Sequence, residues 1–232
     1  MADEGEIHQH SGWLIPLIVA VVVVVLCAGL LLYYMRPFTL RTGTAPFRDD
    51  RASSVAIPVT MAGTTLSIPR RYIEPGASRG RNTVALVAAL PGMRGFSEDD
   101  AQLFAGNTPD SPLVHLLIRA ERTDLSGPER LQRVYMPYIA NQAGEKGPFG
   151  LTHYEFRAGS GYSRDDLYAA NGGNLLLLCE QSAQDLPSPN CLAIDRPIAP
   201  GLSLSYRFKR AQLSSWRAIN DGVTQLVAGF RR

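Results

Sequence analysis

Hydrophobic and polar positions divide this chain into two regimes. Residues 13–34 hold no Asp, Glu, Lys or Arg, and 14–32 is almost wholly Leu, Ile, Val and Ala, with valine at every position from 21 to 25. A bilayer core is about 30 Å thick and a helix rises about 1.5 Å per residue, so roughly 20 apolar residues span it. Trp13 at one end and Tyr33 and Tyr34 at the other sit where amphipathic rings prefer the headgroup region. The pattern predicts a transmembrane helix over 13–34, in contact with the lipid bilayer. A cleaved signal peptide would have a basic start and a shorter apolar run ending in small residues. Here the preceding segment is acidic, the run is long, and Tyr33, Tyr34 and Met35 follow it. Cys27 with Ala28 and Gly29 does not make a lipoprotein signal, because no base precedes it and the apolar run continues beyond it.

Beyond residue 54 the period changes. Alternation over 55–61, an Ala62-Gly63 turn and a return over 64–68 predict a hairpin, with Pro58 marking its first strand as an edge. The nearly continuous apolar run 83–90 reads as a strand buried on both faces. Ser97 with Glu98, Asp99 and Asp100 starts a short helical turn to Phe104. A strand follows over 113–119, then a helix opened by Ser126-Gly127-Pro128 and stopped at Pro137. Strands over 151–157, 166–170, 175–180, 191–195 and 202–208 form a meander, with Asn171-Gly172-Gly173-Asn174 as a strong turn. From about Ser214, Trp216, Ile219, Val223, Val227 and Phe230 recur at helical spacing and give one apolar face. The expected fold is α+β: an N-terminal transmembrane helix, then a single antiparallel-sheet domain with a C-terminal amphipathic helix packed on it. The expected organisation is an acidic tail over 1–12, the membrane helix over 13–34, a Pro/Gly-bearing juxtamembrane linker over 35–54 and a soluble domain over 55–232.

Charge changes the picture only at the membrane. The chain carries a formal +2, and Asp3, Glu4 and Glu6 put −3 in a head without bases, so the rest carries +5. That is mild for a domain of this size and excludes a nucleic-acid partner on charge grounds. Arg36, Arg41, Arg48 and Arg51 follow the apolar run, and the positive-inside bias would put the domain in the cytoplasm. Cys179 and Cys191 argue the other way. Each lies at the end of a strand-like run with a turn-rich loop between them, an arrangement suited to a disulfide, and disulfides persist in oxidising compartments. Two free thiols are the competing reading. Long domains translocate largely regardless of flanking charge, so the expectation is a single-pass inner-membrane protein with a periplasmic domain.

Candidate chemistry is sparse. The phosphate-binding, dinucleotide-binding, zinc-protease and Cys-x-x-Cys signatures are absent, and Gly159-Ser160-Gly161 lacks nucleophile-elbow spacing. His8 and His10 lie in the acidic head; His115 and His153 fall in strands. Arg70, Arg71, Arg79 and Arg81 surround a lone Glu74 and form a possible basic contact patch. No catalytic, cofactor or metal site is expected. The functional expectation is an accessory domain that binds another envelope protein. The alternatives are a membrane-anchored hydrolase or ligand-binding domain built on His115 or His153, and a protective, immunity-like protein that neutralises an envelope-targeted toxin.

Overall fold

The computed structural model describes residues 14–39, 52–74, 82–121 and 125–231, which belong to two compact units, Met1–Arg48 and Asp49–Arg232. In the first unit, helix α1 runs over Leu14–Thr39, 26 residues. Side chains are described for 16–30, and all of them are exposed. That described stretch is shorter than the roughly 20 residues a span takes, and among the described residues no helix is long and apolar enough to cross a membrane. Tyr33 and Tyr34 fall on the helical backbone, whereas Trp13 lies outside the described residues.

In the second unit, strands β1 (Ala56–Met61) and β2 (Thr64–Pro69) form the expected hairpin as a separate two-stranded sheet. The turn is made by Ala62 and Gly63, both with positive φ. Eight further strands make one antiparallel sheet: β3 (Thr83–Ala89), β4 (Leu113–Arg119), β5 (Glu145–Lys146), β6 (Thr152–Glu155), β7 (Asp165–Ala170), β8 (Leu175–Glu180), β9 (Asn190–Ala199) and β10 (Leu202–Lys209). Their spatial order is β3-β4-β10-β9-β8-β7-β6-β5. The last strand therefore folds back between β4 and β9, and joins the two halves of the sheet.

One face of this sheet is sealed. Leu86, Leu116, Leu204, Tyr206 and Leu177 point into a single cluster with Trp216, Ile219, Val223, Val227 and Phe230 of helix α4 (Trp216–Phe230). Leu66 and Ile68 of the hairpin are fully buried in the same cluster. Trp216 donates its indole N–H to the Phe149 carbonyl at 3.2 Å, so its one polar atom is satisfied. A 3-10 turn over Arg210–Ser215 leads into α4, which therefore begins close to where the periodicity places it.

The opposite face is covered in patches. Helix α3 (Gly127–Arg130) starts at Ser126 with a reciprocal capping box: the Ser126 side chain accepts from the Glu129 amide, and the Ser126 amide donates to Glu129. The turns that follow through Tyr138 bring Leu131, Tyr135, Met136 and Ile139 over Leu167, Ala169 and Leu176. Tyr135 stacks edge-on to Phe156 and Tyr162, and burial pushes its hydroxyl up to about 12. At the other end, helix α2 (Ala101–Ala105) sets Leu103 and Phe104 on Val87, Ala89 and Leu113. It begins later than the sequence suggests, because Ser97 bonds the Asp100 amide and carboxylate within the preceding turn.

One sequence expectation holds in part and one is corrected. The strand at 83–90 is buried on both faces from Leu86 to Ala89 but less so at Thr83 and Ala85, since β3 is the edge of the large sheet, met beyond it by the Ile73–Leu86 and Ala89–Arg94 bridges. The segment expected as 191–195 extends to Ala199 because a bulge intervenes. Ile194 and Asp195 together face Ser205, which resets the alternation so that Arg196 points to α4 and bonds Asn220 and Thr224 at 2.7 Å each.

Cys179 and Cys191 are direct cross-strand partners on β8 and β9, with Cα atoms 4.0 Å apart, and form a disulfide. Both are wholly buried, while Cys27 is a free, exposed thiol. Alkylation of the unfolded chain is expected to label Cys27 alone without reductant and all three cysteines with it, read by mass spectrometry. Replacing both bridge cysteines by Ala should lower unfolding stability by about 3 kcal/mol, seen as a reduced urea midpoint. Trp216→Ala, which removes the largest side chain of the α4 face, should cost about 3–5 kcal/mol in the same assay.

Candidate functional site

Between the α2 cover and the α3 cover, the faces of β4, β10 and β9 are left open. Alternation dictates which residues line the opening. On β10, Leu204, Tyr206 and Phe208 turn inward, so Ser203, Ser205, Arg207 and Lys209 turn outward. Register then sets the rows: Val87, His115, Arg207 and Leu192 stand opposite one another across four strands, and Ala85, Leu117 and Ser205 form the next row.

The charges on this face are arranged in pairs, with two exceptions. Glu74 is held at the β3 edge by donating its amide to the Ala85 carbonyl, and its carboxylate meets His115 Nδ1 at 3.0 Å. The hydrogen bond to His115 holds the Glu74 carboxyl below the usual carboxylate range despite its partial burial, with help from the His115 and Arg207 charges. Arg119 donates to Asp195 Oδ1 at 3.0 Å and to Ser205 Oγ at 3.4 Å, and lies 3.7 Å from Glu121. The bulge in β9 is what brings Asp195 within reach. Arg207 and Lys209, by contrast, have no carboxylate within ion-pair distance among the described residues. Arg207 is exposed, whereas Lys209 is only 9 % exposed and its ammonium has one acceptor, the Ser188 carbonyl at 3.5 Å.

Two concavities share this surface. One of about 260 Å³ is bounded by Glu74, Ala85, Leu117, Arg119, His115 and Arg207. The other, about 240 Å³, lies toward α2 and is bounded by Phe104, Asn107, Ser111, Lys209, His115 and Arg207. His115 and Arg207 border both, so the two concavities adjoin and together make up the trough of this face.

His153 has a different setting. It packs on Tyr168 with ring centroids 5.0 Å apart, and its Nε2 meets Asp166 at 3.2 Å. Asp166 also accepts from Arg210 at 2.6 Å and from Gln181 at 3.2 Å. Arg210 further donates to the Glu180 carbonyl at 2.7 Å and to Tyr168 Oη at 3.1 Å. Burial pushes the Asp166 carboxyl up, but the hydrogen bonds from Arg210, His153 and Gln181 outweigh it and hold it low. Each partner is engaged, and the cluster ties β6, β7, β8 and the end of β10 together.

Of the expected basic patch, Arg70 and Arg71 form a 3-10 turn after the hairpin, with the Arg71 guanidinium 5.4 Å from the Tyr72 ring. Arg71 also borders a third concavity of about 410 Å³, between the hairpin and α4. Arg79 and Arg81 lie outside the described residues. The sequence reading missed Glu74, Arg119, Asp195, Arg207 and Lys209 as a group. The signal was present in β10, where small or charged residues alternate with large apolar ones. The pairing that brings β4 beside β10 is not readable from either strand alone. Among the described residues no cluster of three or more His, Cys, Asp or Glu is placed to hold a metal ion.

No family model matches the chain, and no curated protein resembles it in sequence. Its fold does have a counterpart. The chain is similar to an immunity protein of the Stenotrophomonas maltophilia type IV secretion system, with a TM-score of 0.56 at 16% identity over 78% of this chain and 94% of that one. A weaker match, TM-score 0.42 at 12% identity with the same coverage, is FrpD, the iron-regulated outer membrane lipoprotein of Neisseria meningitidis. At such identities the first likeness establishes a shared fold and nothing finer.

The Asp166 cluster gives a pH prediction. A folded-state pKa below the unfolded value contributes stability that is complete above about pH 4 and is lost as pH falls through the folded value. Asp166→Asn, which leaves Arg210 without its carboxylate, should cost about 2–3 kcal/mol near neutral pH and flatten the acid limb of the stability curve. Urea titrations of both chains between pH 2 and 7 check this.

Proposed function

We propose that this chain is a membrane-anchored, immunity-type protein of the bacterial envelope, whose domain lies outside the cytoplasm and neutralises a protein toxin by binding it. The observation that carries this reading is the fold likeness over 94% of an immunity protein. An uncovered, charged sheet face supports it, because a domain that acts by binding needs a face left free for its partner. The anchor is residues 13–34, and it is supported by a charge-free apolar run and by the exposure of apolar side chains all around the described part of α1. A helix apolar on every side needs an apolar surrounding. The periplasmic placement is supported by the buried Cys179–Cys191 bridge.

Deleting the gene should sensitise cells to killing by wild-type siblings in contact-dependent competition, with full protection restored by the complete chain and not by one lacking 13–34. A deletion strain as resistant as its parent would sink the immunity reading.

His115 and Glu74, in hydrogen-bond contact at the trough, favour a second reading as a hydrolase, with Glu74 orienting a histidine base. Among the described residues, however, no hydroxyl or thiol bonds the His115 ring. Protection that survives His115→Ala separates binding from hydrolysis.

A further inference from the structure

Arg207 and Lys209 are adjacent outward positions on β10, two residues apart on one strand face. Strand geometry puts their Cα atoms about 7 Å apart. Arg119 is paired with Asp195 and Glu121, and Glu74 is hydrogen-bonded to His115, whereas neither Arg207 nor Lys209 has a carboxylate within ion-pair distance among the described residues. Lys209 is the more telling of the two, since the residue is largely buried and its ammonium has a single long contact, to the Ser188 carbonyl, on the edge of a concavity. The concavity toward α2 is thus lined by these two cations and by no carboxylate, and it is flanked by apolar surface at Phe104 and, across the row from Arg207, at Leu192, which is 40% exposed.

We propose that this trough docks an acidic, extended segment of the protein partner, with carboxylates at alternate positions that engage Arg207 and Lys209. The match is geometric as well as electrostatic. Side chains at i and i+2 of an extended chain share a face and repeat at the same distance as Arg207 and Lys209. The interleaved residues of such a segment would face away from the trough. This inference rests on the reading of the domain as a partner-binding protein, and it names the chemistry of the surface that the partner must present.

The test uses the full chain in detergent micelles and a fluorescein-labelled peptide of alternating Glu and Ser, followed by anisotropy. Binding should be saturable, should weaken with salt, and should exceed that of a peptide with the same composition but adjacent glutamates. Arg207→Gln, at an exposed position that leaves the core intact, should weaken binding about tenfold, and Lys209→Met should do the same where circular dichroism shows the fold retained. Arg164→Gln, at an exposed arginine paired with Asp185, should change nothing. Unchanged affinity in Arg207→Gln overturns the proposal. So does displacement of the peptide by inorganic phosphate at equal concentration, which would make the trough a small-anion site. In the competition assay, full protection by Arg207→Glu would overturn this docking mode and leave the immunity reading standing. A wild-type chain that binds the alternating peptide but protects no cell would do the reverse.

Discussion

A sheet has two faces, and this domain has one long helix to cover them. Helix α4, at 15 residues, is about 22 Å long, while eight strands at their usual spacing span about 34 Å. One helix cannot close even a single face of that width, and the hairpin completes it by sending Leu66 and Ile68 into the same cluster. The other face receives only the short helix α2 at one end and the irregular turns after α3 at the other. What remains between them is open because no described element is left to cover it. The position of the trough is thus a consequence of how covering elements are distributed along the chain.

Strand order turns that gap into a defined surface. The last strand inserts between β4 and β9, so residues from the first and last parts of the domain become neighbours across β4 and β10. His115 comes to stand opposite Arg207, and the bulge in β9 supplies Asp195 to Arg119. The trough's floor is paired sheet, while its rims are short helices and loops. Loops set on a sheet scaffold suit recognition of a segment from another chain.

Much of this architecture was legible in the sequence. Periodicity located α4 through Trp216, Ile219, Val223 and Val227, and turn chemistry located the hairpins at Ala62-Gly63 and at Asn171–Gly173. The short β5 was not legible, since two residues carry no period and Glu145 and Lys146 are held only by pairing with His153 and Thr152. Nor were the site residues. Glu74 and His115 are 41 positions apart and Arg119 and Asp195 are 76 apart, so neither pair leaves a local pattern. The cysteines were the exception: a pair closing a short loop between strand ends carries its own geometric signal, and the register of β8 and β9 places them directly opposite one another.

That bridge also bears on the orientation of the chain at a membrane. Thiol–disulfide exchange requires a thiolate to reach a sulfur in line, and both sulfurs here lie in the core beneath α4. Once folded, the domain shields the bond kinetically from any thiol pool, so the bond reports the conditions under which the chain folded more than those it later meets. Under the proposed anchoring, the arginines after the apolar run would act earlier still, biasing the chain while that run inserts. The two signals concern different moments of biogenesis, and only the bridge requires that β8 and β9 meet in an oxidising compartment. For that reason the proposed placement of the domain outside the cytoplasm follows the bridge and not the flanking charges.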